Sequence, residues 1–80
     1  MKQRICEPGI KNIVGSRVVA IRKSKNIKQK DFLAQLQVSG MDISATSLSR
    51  IEGGHRLVQD FEVVILARVL GISTTELLGE

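Results

Sequence analysis

Apolar residues recur along this chain with the period of an α-helix, and no stretch shows the alternation of a strand. Between Asn12 and Lys25, the residues Val14, Val18 and Ile21 fall four and three positions apart, on one helical face, whereas Arg17, Lys23 and Lys25 fall largely elsewhere. This pattern predicts an amphipathic first helix. A second helix is predicted over 28–39, with Phe32, Leu33 and Leu36 turned inward and Gly40 placed to end it in the left-handed conformation. Ser44 is suited to cap a short third helix over 45–52, whose apolar edge is Leu48 and Ile51 and which Gly53-Gly54 stops. Asp60 reads as the N-cap of a fourth helix. In it Phe61, Val64, Ile65, Ala67, Val69 and Leu70 are apolar nearly all round, so it is expected to be the most buried, and Gly71 closes it. Ser73-Thr74-Thr75-Glu76 has the spacing of a capping box ahead of Leu77-Leu78, a one-turn fifth helix.

Five short helices without a strand or an internal repeat predict an all-α fold, and 80 residues suffice for one small core. That core must be aliphatic, because only Phe32 and Phe61 are aromatic. Residues 1–11 mix charge with Pro8-Gly9 and show no period, so they read as a basic, partly flexible arm ahead of a domain over 12–80. The longest apolar run, Val63 to Ala67, falls far short of the roughly 20 residues that span a bilayer, and the N-terminus lacks the apolar segment of a signal peptide. A cytoplasmic location is the default, with no membrane partner.

Catalytic chemistry finds no footing. Cys6 cannot form an internal disulfide and reads as a small apolar residue rather than a reactive thiol. With His55 the single histidine, no metal-ligand set is present, and no cofactor or small-molecule substrate is expected. There is no glycine-rich phosphate loop and no carboxylate pair on an apolar face; Asp60 and Glu62 sit at a helix start, where capping explains them.

The net charge of +4 favours a polyanionic partner. The third helix sharpens this. Its outward residues, Ala45, Thr46, Ser47, Ser49 and Arg50, are short and polar, whereas a merely solvated helix would be richer in Glu and Lys. A helix entering the major groove needs small groups for close approach and one long donor for a base edge. A capped surface helix without a partner is the plain alternative.

The order of the residues resembles the Cro and phage-repressor-like helix-turn-helix proteins, also called the XRE type, over about residues 13–79. The resemblance is carried by Val14-Gly15-Ser16-Arg17 with Ile21-Arg22, by Lys28-Gln29, by Ser47-Leu48-Ser49-Arg50-Ile51-Glu52-Gly53-Gly54, and by Leu66-Ala67-Arg68-Val69-Leu70-Gly71-Ile72-Ser73. It implies a compact five-helix, lambda-repressor-like DNA-binding domain. Helix two would lie across the backbone of double-stranded DNA and helix three in the major groove. By position, Ala45, Thr46 and Arg50 would face bases, while Gln29, Ser44, Ser47, the Gly53 amide and Arg56 would face phosphates. Arg22 and Glu52 match a structural salt bridge between helices one and three. From Leu36 to Ile43 the chain takes seven steps, several more than the family's tight turn, and the extra residues are expected to lengthen helix two and enlarge the loop.

The resemblance implies a transcriptional regulator, a repressor by preference, that binds a pseudo-palindrome as a homodimer formed in solution or on DNA. The exposed side of Leu77-Leu78 is one surface for such pairing, unless those leucines close the core. The alternative function is a protein-interaction module of the same fold, antitoxin-like or an adaptor subunit.

Overall fold

The computed structural model describes residues 9–79, so Cys6 and most of the N-terminal arm lie outside the described residues. Among the described residues there are five helices: α1 Gly15–Ser24, α2 Gln29–Val38, α3 Ala45–Glu52, α4 Asp60–Leu70 and α5 Thr74–Leu78. None is long and apolar enough to cross a membrane.

Each helix contributes apolar side chains to one core. Val14 and Val18 enter it beside and within α1, Phe32 and Leu36 from α2, Leu48 and Ile51 from α3, Leu66, Ala67 and Leu70 from α4, and Leu77 from α5. At roughly 1.5–3 kcal/mol for each large apolar side chain removed from water, this burial is the main stabilising contribution. Leu77 is fully buried, so it closes the core and is no pairing surface.

The α2–α3 connector is anchored at several points. Met41 and Ile43 are buried in the core. The Met41 N–H donates to the Leu36 carbonyl (3.0 Å), and the Gln37 amide donates to the Ile43 carbonyl (2.9 Å). These contacts fix the direction in which the chain enters α3.

Two expectations are corrected. First, the N-cap of α4 is Gln59, not Asp60. Glu62 decides it: its carboxylate accepts the Gln59 N–H (2.9 Å), which leaves Asp60 as the first helical residue. Second, α4 is not buried all round. Its inner side is Glu62, Leu66, Ala67 and Leu70, whereas Phe61 is 55% and Val64 42% exposed. The helix ends at Gly71, left-handed at φ 77°, and the Lys25 ammonium donates to the Leu70 carbonyl (2.8 Å) at this negative helix end.

α1 starts later than Asn12 because the Asn12 side chain works as a brace. Its carbonyl oxygen accepts the Gly15 N–H (2.7 Å), and its amide donates to the carbonyls of Ile51 (3.2 Å) and Arg56 (2.8 Å). Gly15 has to be glycine for a related reason. A Cβ there would press into the Ile51 carbonyl oxygen and lie 3.1 Å from that of Glu52. The start of α1 therefore rests directly on the last turn of α3.

Candidate nucleic-acid interface

α3 is set by local chemistry and then rotated by the core. Ser44 is extended (φ −97°, ψ 166°), and its hydroxyl oxygen accepts the Ser47 N–H (3.1 Å), satisfying one of the open amides of the first turn. With Leu48 and Ile51 fully buried, the 3.6-residue period leaves Ala45, Thr46, Ser49 and Arg50 exposed on the opposite side. Ser44 is exposed beside them and Ser47 half-buried. No carboxylate pairs with Arg50 among the described residues. The outcome is a shallow face of small polar groups with one long cationic donor.

Behind that face, an ion pair holds the end of α3. Arg22 Nε lies 3.0 Å from Glu52 Oε2 and Nη2 lies 3.2 Å from Oε1, a bidentate fork, while Nη1 donates to the Ile27 carbonyl (2.9 Å). The two side chains are only 10% and 8% exposed, so each charge depends on the other for what water would have supplied. Gln29 extends the network to the outer face: its amide donates to Glu52 Oε1 (3.0 Å) and to Ser49 Oγ (3.2 Å). The first residue of α2 is thereby tied to α3.

Three groups that the sequence pointed toward phosphate are held inside the chain. The Gln29 amide bridges Ser49 and Glu52. The Gly53 N–H donates to the Ser49 carbonyl (2.9 Å), closing the last turn of α3. The Arg56 guanidinium forms a fork with Glu62, both contacts at 3.1 Å, and also donates to the Leu57 carbonyl (3.0 Å). Burial of the Glu62 carboxyl works against its charge. The Arg56 hydrogen bond, the Gln59 N–H and the Arg56 charge together outweigh that and hold its pKa below the ordinary carboxylate value.

What remains beside α3 is the start of α2. No side chain caps it, so the amides of its first turn, at the positive end of the helix dipole, have no side-chain acceptor from the N-cap. Lys28 and Lys30 stand exposed on either side of Gln29. Lys28 enters the sequence reading only as a mark of the family and neither it nor Lys30 as a DNA contact, although the run Lys28-Gln29-Lys30 at a helix start is a signal for one; the link of Ser49 to Gln29 has no such signal.

In comparison with known proteins, the helix-turn-helix family model matches residues 18–77. No curated protein and no solved structure matches the chain.

Proposed function

The chain belongs to the Cro/C1-type helix-turn-helix family of DNA-binding regulatory domains, and we propose that within it this protein is a sequence-specific repressor that places α3 in the major groove. The observation that carries the reading is the outer face of α3, where the exposed Arg50, without an ion-pair partner among the described residues, stands among Ala45, Thr46 and Ser49.

On this reading Arg50 reads guanine through its two-pronged guanidinium. Thr46 offers a hydroxyl and a methyl, and Ala45 offers apolar contact to a thymine methyl. The backbone is held by the uncapped amides of α2 from Gln29 onward, by Lys28 and Lys30, and by the hydroxyls of Ser44 and Ser47. Gly53 allows close approach, and Arg56 reaches phosphate with the donors that Glu62 and Leu57 leave over. Two copies occupy half-sites one helical turn apart, about 34–36 Å, and repress by occlusion in the cytoplasm.

Selection of bound duplexes from a randomised library at near-physiological salt tests this. The expected product is an inverted repeat with half-sites about 10 base pairs apart. Recovery of no DNA would overturn the reading in favour of a protein-interaction module of the same fold.

A further inference from the structure

The outer face of α4 carries apolar surface that the monomer leaves in water. Phe61 is 55% and Val64 42% exposed, and Leu57, 71% exposed, precedes them in the segment leading out of α3. Opposite the buried side of the helix, the 3.6-residue period gathers Asp60, Phe61, Val64 and Arg68, all exposed. The charges on this face are arranged symmetrically. Asp60 lies four residues before Val64 and Arg68 four residues after it, on one stripe about 12 Å long. Neither has an ion-pair partner among the described residues.

A two-fold axis through Val64 would lay one α4 antiparallel on a second. Each Asp60 then meets the Arg68 of the other copy, and the two valines meet at the centre. An isologous contact requires a patch that is complementary to itself, and an acidic and a basic group equidistant from an apolar centre meet that requirement. A partner of different sequence would draw no benefit from this symmetry. We propose that a second copy of this chain docks here, α4 against α4, with two Asp60–Arg68 pairs flanking Val64 and with Phe61 covering the side.

This deepens the dimeric reading above and rests on it, and it locates the pairing surface on α4 instead of α5. One helix face covers a few hundred Å² per copy, below the roughly 800 Å² of a standard stable interface. The pair is therefore weak in solution and assembles when DNA holds two copies side by side.

Charge reversal tests the symmetry. Binding to an inverted repeat and to a single half-site is measured for the unmodified chain, Asp60→Arg, Arg68→Asp and a one-to-one mixture of the two variants, with folding checked by circular dichroism. Each variant alone sets like charges opposite each other at both ends, and is expected to lose at least fivefold of the cooperativity on the inverted repeat while keeping half-site affinity. The mixture sets opposite charges together at both ends and is expected to restore cooperativity. Val64→Glu, which brings two carboxylates to the axis without altering either end of α4, is expected to abolish it. Unchanged cooperativity in Val64→Glu and both charge variants, or a folded mixture that stays as defective as its components, would overturn the proposal. Loss of half-site binding by the unmodified chain would instead strike at the DNA-binding reading.

Discussion

On the inner side of α3, Leu48 and Ile51 are fully buried, and Glu52 is gripped by Arg22 and Gln29. On the outer side, Ala45, Thr46, Ser49 and Arg50 stand in solvent, and only Ser49 among these four side chains has a hydrogen bond to another, from Gln29. No buried side-chain nitrogen or oxygen among the described residues lacks a hydrogen bond. The difference separates positioning from contact. Groups that orient the helix are bonded within the chain, and the side chains proposed to face bases, those of Ala45, Thr46 and Arg50, are left without such bonds, so stability and base recognition should respond to different substitutions.

The largest effect should come from the inner side. Glu52→Ala leaves the Arg22 charge buried without its carboxylate, and a loss of about 3–5 kcal/mol is expected in denaturant unfolding. A loss below about 1 kcal/mol would mean that the pair is better hydrated than its burial indicates. Next comes Gly15→Ala. Its methyl group meets backbone carbonyls of α3 that cannot swing aside, and about 2–3 kcal/mol is expected, read from the same unfolding midpoints.

A smaller effect concerns acid. The Glu62 pKa is depressed in the fold, so its contribution is fully present above the unfolded value, near 4.5, and is lost as pH falls through the folded value. Glu62→Gln should lower stability at pH 7 and flatten the decline between pH 5 and pH 3. An unchanged slope would remove Glu62 as a source of acid sensitivity.

How far these two sides were legible in the sequence follows from the range of the signals. The bounds of α3 come from neighbours in the chain, the Ser44 cap and the Gly53-Gly54 stop, and the structure places them at the same residues. The α4 cap was misplaced by one residue because Gln59 and Asp60 can both cap. Only the reach of Glu62 back to Gln59 decides between them, although the three-residue spacing was visible. Met41 stood alone among polar residues and gave no period, yet it anchors the connector. The roles of Asn12, Gln29 and Arg56 could not be read at all. The partners of Asn12 and Gln29, Ile51 and Ser49, lie on elements that only the tertiary fold brings together, and Glu62 meets Arg56 across a connector whose path has no periodic signal.

The smallest expected change in stability is the most telling for recognition. Arg50→Ala removes an exposed side chain and should shift unfolding by no more than about 0.5 kcal/mol. The direct measurement is the affinity of Arg50→Ala and the unmodified chain for the selected operator and for a scrambled duplex, at one fixed salt concentration. A loss of about 1–3 kcal/mol on the operator with little loss on the scrambled duplex is predicted for a base reader. Equal losses on both duplexes would make Arg50 a backbone contact and contradict the placement of α3's outer face against the bases.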